Sequence, residues 1–475
     1  MKKLAVAVVC ACASVFALAD EWFADASKPA GSGDGTSAAT AFHTIQEAVD
    51  AAADGDTVTV LPGEYKDGGW TNSLGYVSRV YITEKALTLR STGGKAVTHI
   101  VGAYDPDGCY LDGDPTKTHY DSMGPKAVQC VRAYKAAGTR IEGFTIRDGA
   151  SHTCPTTDDA YGTGGGIHVA DGSRAVYAVD CLFTGCIASR GGGMRYGTAI
   201  RCVFDGNFTR YGTGHAARST NLYNCLILRS GGSGLAGVVC WGCSLVNCTA
   251  AQNLSGSVLQ SSQAANSIIL VNAGDPGTTD RSNVATNCYV SAISTVFSAD
   301  SKNVTVPADI YQLLAPALGD CRLKDGATAL TAGTAAAAIP PFTVPADDLN
   351  LDLDKRPIPV SGAVALGCYQ EPVVPAGGAW KFLNAMLVDG RDAVANSYFY
   401  ATNHPMAVNV KMIPFANRVT FCFFCGGSIL LCVAFSILCV LGFALCAAAL
   451  APGSAYSALF VRDPAEAVFS IPGAL

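Results

Sequence analysis

At 475 residues, the chain has room for one long domain with appendages, or for roughly two or three ordinary domains. Its 32 Lys and Arg stand against 38 Asp and Glu, a net charge of −6, which argues against the basic patch that a nucleic-acid partner needs. Only 15% of residues are charged while glycine counts 51, a mix that suits short strands and tight turns better than solvated helices.

The first residues read as an export signal. Lys2 and Lys3 form a basic start, Leu4 to Leu18 is apolar, and Ala17-Leu18-Ala19 offers a small-x-small cleavage site. Residues 1–19 are therefore expected to be removed, leaving Asp20 first. Of the 20 cysteines, two lie in this leader and five in a late apolar run (Cys422, Cys425, Cys432, Cys439, Cys446). The 13 that remain are an odd number and cannot all pair within the chain.

Thr44 and Glu47 form a capping box, and Ile45, Ala48, Val49 and Ala52 share one helical face. Gly55 stops this helix. Val58 and Val60 then alternate with Thr57 and Thr59 as a strand, before a turn at Pro62-Gly63. A short amphipathic helix feeding a first strand is what the exposed apolar end of a solenoid requires as a cap, here about residues 24–65.

The middle of the chain repeats. Gly143-Phe-Thr-Ile, Cys181-Leu-Phe, Cys202-Val-Phe, Cys225-Leu-Ile, Cys243-Ser-Leu, Ser267-Ile-Ile and Cys288-Tyr-Val align, the later steps being 21, 23, 18, 24 and 21 residues. Gly-rich turns at Gly164, Gly191, Gly212 and Gly231 keep similar time. One repeat is one structural unit that buries its apolar face on the next. Short β-branched and aromatic runs broken by glycine exclude helical repeats, and the absence of a dense leucine framework excludes leucine-rich repeats. One coil of a three-faced parallel β-helix fits both length and composition. The aligned Cys181, Cys202, Cys225, Cys243 and Cys288 then form an interior ladder of small apolar side chains about 4.8 Å apart, with Ser267 as one rung. A disulfide staple among these thiols is an alternative, as is a metal site at Cys240-Trp-Gly-Cys243, which lacks the second pair of a zinc finger.

Several segments carry a family resemblance. Gly31-Ser-Gly-Asp-Gly-Thr, the helix Phe42…Ile45-Gln-Glu-Ala, and Gly55-Asp-Thr-Val…Leu61-Pro-Gly-Glu-Tyr resemble the cap and first coil of pectate-lyase-like parallel β-helix proteins. The Gly-Gly-Gly-Ile and Asn/Asp-Cys-x-Phe coils resemble the repeats of bacterial surface and adhesin-like members. Residues 347–371 resemble the closing segment of that group, departing from it at Gly367-Cys-Tyr-Gln. The resemblance spans about residues 24–371 and implies an all-β, right-handed, single-stranded parallel β-helix over residues 20–371. It leaves function open, because this scaffold hosts lyases, hydrolases, epimerases and adhesins.

Residues 372–418 read as a linker or small tail region, 419–451 as a membrane segment, and 452–475 as a C-terminal tail. The run from Val419 to Ala451 carries no charge and exceeds the roughly 20 residues that span a bilayer, so a transmembrane helix is expected; a buried hairpin is the alternative.

Three groups of residues could carry chemistry. With Ile167, Met194 and His215 aligned inward, His168, Arg195 and Arg218 face outward and form a short basic strip on an acidic protein. The resembled enzymes bind acidic polysaccharides on such a face, where a cation neutralises the uronate and a base takes its α-proton; Arg195 and His168 could serve. The plainer reading is a solvated face. Residues 149–163 form an insertion beside that strip. In it, Asp158 and Asp159 resemble the paired carboxylates of β-helix glycoside hydrolases, and Gly214-His215 faintly resembles their Gly-His-Gly; the other hydrolase motifs are missing, so a polar loop is the plainer reading. Asp105, Asp107, Asp112 and Asp114 lie within ten residues and could hold Ca²⁺, the one cofactor considered. Asp347, Asp348, Asn350, Asp352 and Asp354 pose the same question, although Leu349, Leu351 and Leu353 alternate with them as in a final strand with one wet face.

The reading is an exported, membrane-anchored protein of the cell surface or envelope, acting without catalysis in adhesion or in binding a polysaccharide or host glycan, with no nucleic-acid partner. A polysaccharide lyase or glycoside hydrolase acting on acidic polysaccharide is the alternative, and a purely structural surface layer is a third class.

Overall fold

The computed structural model describes residues 19–105, 123–152, 162–209, 213–231, 237–254, 257–270, 282–290, 312–316, 319–335, 340–345 and 348–371, together with short strands between 396 and 470. The capping box forms: Thr44 Oγ1 accepts from the Glu47 amide at 3.2 Å, and the Glu47 carboxylate accepts from the Thr44 amide at 2.8 Å. It opens the helix Ile45–Ala51, which buries Ile45, Ala48 and Val49 against the first coil.

Beyond this cap the chain winds through three long sheets of ten, nine and eight strands. Within each, neighbouring strands come from successive coils and run parallel, so the body is a parallel β-helix. The first sheet runs from Glu21–Ala24 to Val284–Thr286, the second from Gly63–Tyr65 to Tyr289–Val290, and the third from Trp70–Thr71 to Ser257–Gln260. The one antiparallel pairing among them joins Trp70–Thr71 to Val77–Thr83.

Most corners between sheets follow one pattern. A residue with φ near +50° reverses the strand, and the next side chain swings inward. Between the first and second sheets these left-handed residues are Asp180, Arg201, Asn224, Asn247, Asn266 and Asn287. The inward residues that follow are Cys181, Cys202, Cys225, Cys248, Ser267 and Cys288, all fully buried. Each of these thiols donates to the carbonyl two residues back, as Cys202 does to Ile200 at 3.4 Å and Cys225 to Tyr223 at 3.4 Å. The cysteine ladder thus exists with one rung corrected. Cys248 occupies it, giving steps of 21, 23, 23, 19 and 21 residues, whereas Cys243 belongs to the next corner line beside Ser262. All eleven described cysteines are free and buried, so no disulfide staple is formed among them.

The coils also touch backbone to backbone. A Cβ on Gly192 would lie 2.2 Å from the Phe208 carbonyl oxygen, and one on Gly166 2.3 Å from that of Gly193. This contact, together with the positive φ of Gly164, Gly191 and Gly214, is why the Gly-rich turns recur.

Among the described residues, the chain's C-terminal segments cover two of its three sheets. Over the first, Val344, Ile358 and Val364 pack on Val179, Ile200, Tyr223 and Val246. Asp348 sits there between Arg140, at 2.5 Å, and Arg201, at 3.0 Å, while Arg201 also grips Asp180. Over the second, Leu313, Leu323, Ala329, Leu366 and Cys368 pack on Leu226, Leu228, Ala251 and Ile268. Residues 349–353 are therefore a strap and not a coil strand: Leu349 and Leu351 give their carbonyls to Tyr223 and Asn224, and Leu351 bridges only Pro357.

In the tail, the described part of the expected membrane helix is strand. Arg418–Cys425 pairs antiparallel with His404–Phe415, consistent with its run of Val, Thr and Phe, residues that favour strands. No helix among the described residues is long and apolar enough to cross a membrane. Residues 1–18 and 430–456 lie outside the described residues.

Two outcomes are expected. Gly192→Ala should cost about 3 kcal/mol in urea unfolding, because the new Cβ overpacks a backbone contact that cannot retreat. Asp348→Ala should cost about 3 kcal/mol by leaving the buried Arg201 short of a partner, and should expose the strap to proteolysis. Burial raises the Asp348 carboxyl, but Arg140 and Arg201 outweigh it and hold the group below its ordinary value. Its contribution should therefore be complete at neutral pH and be lost as the pH falls through that depressed value.

Candidate functional site

The third sheet presents one continuous outward rung. Cα partners run Tyr81, Arg132, His168, Arg195, Arg218, Trp241 and Gln260, one per coil. At about 4.8 Å per step the row spans about 29 Å. The preceding residues, Val80, Val131, Ile167, Met194, Ala217, Cys240 and Leu259, face the core. Alternation on a strand then requires the row to face out.

The expected strip of His168, Arg195 and Arg218 is thus brought together, on a corrected register. Ala217, and not His215, lies opposite Met194, because a bulge between Thr213 and Ala217 absorbs the extra residues. Arg218 therefore stands directly beside Arg195. Four members of the row were missed: Tyr81, Arg132, Trp241 and Gln260. The signal was present in Val131-Arg, Ile167-His, Met194-Arg, Ala217-Arg, Cys240-Trp and Leu259-Gln, where an apolar inward residue always precedes the outward one.

His168 is 2% exposed. An Arg132 guanidinium nitrogen donates to its Nδ1 at 3.3 Å, which leaves Nε2 to carry the proton toward Thr163 Oγ1 at 3.2 Å. Burial first, then Arg132 and Arg195, push its pKa well below the usual value, so the ring is neutral. One nitrogen already accepts and the other already donates. His152 lies close behind, with its Nε2 donating to the Val77 carbonyl at 2.6 Å and its ring stacked on Tyr76 at 5.1 Å. Burial lowers its pKa to about 4.

The arginines lie across aromatic faces. The Arg195 guanidinium sits 4.8 Å from the Tyr196 ring centre and donates to the Tyr196 hydroxyl at 3.2 Å. The Arg218 guanidinium sits 4.2 Å from the Trp241 ring and donates to Thr213 Oγ1 at 3.3 Å. At the other end, Trp70 packs on Tyr81 with centroids 4.1 Å apart. The row thus combines guanidinium groups with aromatic rings at its two ends and beside Arg195, a set that can meet carboxylates through paired donors and sugar rings through flat apolar surface.

His215 is not on this row. It is buried beside the Gly-rich turn, where Nδ1 accepts from the Thr209 amide at 2.9 Å and the ring packs on Phe208; burial lowers its pKa to about 4. Asp105 accepts from the Lys126 amide at 2.9 Å. Asp107, Asp112, Asp114, Asp158 and Asp159 lie outside the described residues, as does Asp347. No group of three or more His, Cys, Asp or Glu is gathered for a metal among the described residues. Asp348 is taken by arginines, and Asp352 accepts from the Arg356 and Gln370 amides, so both serve the strap. A cavity bounded by Leu245, Ala264, Val284 and Pro341 lies on the first sheet, away from the row, and has no charged lining.

No family model matches the chain, and no curated protein matches it. Among solved structures it is similar to a rhamnogalacturonan lyase (11% identity, 60% of this chain and 87% of that one, TM-score 0.32). It is also similar to the pectate lyase Pel9A (11%, 74% and 96%, 0.35) and to XylC in complex with xylose (10%, 57% and 75%, 0.25).

Buried neutral imidazoles make stability depend on pH. The folded values of His152 and His215 lie below the ordinary 6.5, so the unfolded chain binds more protons between about pH 4 and 6.5. Stability should be complete above pH 6.5 and fall as the pH drops through that window, by on the order of 1–2 kcal/mol per imidazole at pH 5. Urea midpoints from pH 7 to pH 5 check this, and His152→Phe should flatten part of the decline.

Proposed function

We propose that the protein binds an anionic, sugar-based polymer lengthwise along the third sheet, as a non-catalytic surface β-helix. The observation that carries this is the in-register row of Arg132, His168, Arg195 and Arg218, flanked by Tyr81 on one side and Trp241 on the other. A row with one outward side chain per coil suits a repeating polymer better than a small molecule. Arginine offers each carboxylate a planar fork of donors. The export signal read at residues 1–19 belongs to the same proposal, since such polymers are met outside the cell.

The lyase or hydrolase alternative needs a base or a carboxylate pair at the row. His168 is an unfavourable base, being buried, neutral and hydrogen-bonded at both nitrogens. Among the described residues no carboxylate stands on the row itself.

The test is affinity electrophoresis and calorimetry of the protein with polyuronates, sulfated glycans and neutral glycans. Binding to an acidic polymer is expected, weakening as salt rises. Arg195→Ala with Arg218→Ala should weaken it at least about tenfold, roughly 1.4 kcal/mol. Trp241→Ala should weaken it without altering the salt dependence. Indifference to every acidic glycan at low salt would sink the proposal, and the appearance of unsaturated uronate products would replace it with the lyase reading.

A further inference from the structure

We infer that Trp70 and Tyr81 form a sugar-stacking subsite at the N-terminal end of the third sheet, which makes the row a site with two aromatic anchors, the other being Trp241. The inference rests on the polymer-binding reading above and adds to it an address and a minimum length. The rungs run Tyr81, Arg132, His168, Arg195, Arg218 and Trp241, so at about 4.8 Å per step a bound oligosaccharide must span about 24 Å to cover both anchors.

The chain leaves its coil to build this end. Trp70–Thr71 folds back antiparallel on Val77–Thr83, whereas the other described pairings of the three long sheets are parallel. Gly69 enters the hairpin at φ +121°, and a Cβ there would lie 2.6 Å from the Ser78 carbonyl oxygen, so only glycine lets the two strands meet. The Asn72 carboxamide closes the turn, accepting from the amides of Leu74 and Tyr76 at 2.9 Å each. Arg79 pins the entry by donating to the Gly68 carbonyl at 2.6 Å and to the Val101 carbonyl at 2.9 Å. Trp70 is thereby set on the Tyr81 ring, with centroids 4.1 Å apart and planes 31° from parallel.

Two observations separate this ring pair from a simple cover for the sheet edge. The first is that the edge at Tyr81 is already sealed. The buried Gln46 of the cap helix accepts from the Tyr81 amide at 2.6 Å and donates to its carbonyl at 3.2 Å. The backbone there needs neither a strand nor an aromatic ring beside it. The second is how the tryptophans are used. Trp22 stacks on Phe42 within the cap, and its indole N–H donates to Asp56 at 3.0 Å. Trp70 and Trp241, the other two described tryptophans, both stand partly exposed on the face of the row, one at each side of the arginines. Partly exposed rings of this kind offer a flat apolar face with a polar edge, which matches the C–H face of a sugar and its hydroxyls. The hairpin fixes the rings in advance, so little ordering remains to oppose binding. Arg132 occupies the next rung, and a chain leaving this platform runs directly onto the cations.

The experiment titrates the full chain by calorimetry with size-fractionated alginate and hyaluronan oligosaccharides, from the disaccharide upward. Affinity should rise at least about tenfold across the length at which an oligomer first spans about 24 Å, because the second anchor then binds intramolecularly. Trp70→Leu, which keeps apolar bulk without a flat ring, should remove that step, and Trp241→Leu should remove it from the other end. Trp70→Phe should keep most of it. Circular dichroism and urea midpoints check that each variant folds, and the wild-type series alone decides whether the step exists. Affinity that climbs only with the charge of the oligomer, or a step that survives in Trp70→Leu, would overturn the subsite and leave the polymer-binding reading standing. Absence of binding to every oligomer and to the parent polymers at low salt would overturn that reading and the subsite with it.

Discussion

The left-handed corner is the constraint on which the rest of this structure depends. Three sheets can close into a coil only if the strand reverses within a residue or two. That requires positive φ, which costs about 1–2 kcal/mol for a residue with a Cβ. Asn and Asp tolerate it best, and Asn224, Asn247, Asn266 and Asn287 supply it in four successive coils. The next side chain points into the core; Phe144 fills that place after Gly143, while in the later coils it is small and donates a hydrogen bond to the carbonyl two residues back. Cysteine, serine and threonine are both small and donating. This explains why an unusually cysteine-rich body holds no disulfide among its described residues: the thiols of the ladder are hydrogen-bonding wedges.

A corner repeated in every coil fixes the register of every face. Phe183 and Phe204 stack at 4.5 Å inside for the same reason that Arg195 and Arg218 adjoin outside. The faces then diverge by what covers them. On the first sheet, apolar side chains, the buried Arg201 and the half-buried Arg140 receive the strap through Asp348. On the second, leucines receive residues 313–330 and 365–369. The third keeps polar and aromatic side chains over an apolar interior. A site is defined here as much by the covering of its neighbours as by its own residues.

This division also explains what could be read in advance. The cap was legible because a capping box and an amphipathic heptad are local. The repeat was legible because each coil re-uses the same corner. Cys243 was mistaken for a ladder rung because Cys243 and Cys248 lie five residues apart, on successive corners of one coil, and sequence spacing alone does not say which corner a cysteine serves. The bulge after Thr213 shifted the alignment of His215 for a similar reason: an insertion inside a strand is silent in composition. The role of Asp348 was beyond reach, since its partners Arg140 and Arg201 are 208 and 147 residues away. The start of the tail was ambiguous because length and apolarity fit a membrane helix, while Val, Thr and Phe in Arg418–Cys425 fit the strand that is found there.

The electrostatics of the row give a reason for the histidine within it. Cations on adjacent strands repel, so a continuous ladder of arginines would work against the packing that the corners impose. Between Arg132 and Arg195 the chain places His168, held neutral by burial and by the two cations themselves. The imidazole accepts a hydrogen bond from Arg132 at one nitrogen and donates one to Thr163 at the other, so it aims a guanidinium without adding charge. Further along, Arg195 and Arg218 are adjacent with no such spacer, and there the guanidinium planes lie on Tyr196 and Trp241, whose π faces offset part of the repulsion. An anionic polymer laid over this pair would lower the same repulsion. In the binding proposed above, the anionic polymer would rest on Arg195 and Arg218, and His168 would serve to position Arg132 rather than to move a proton.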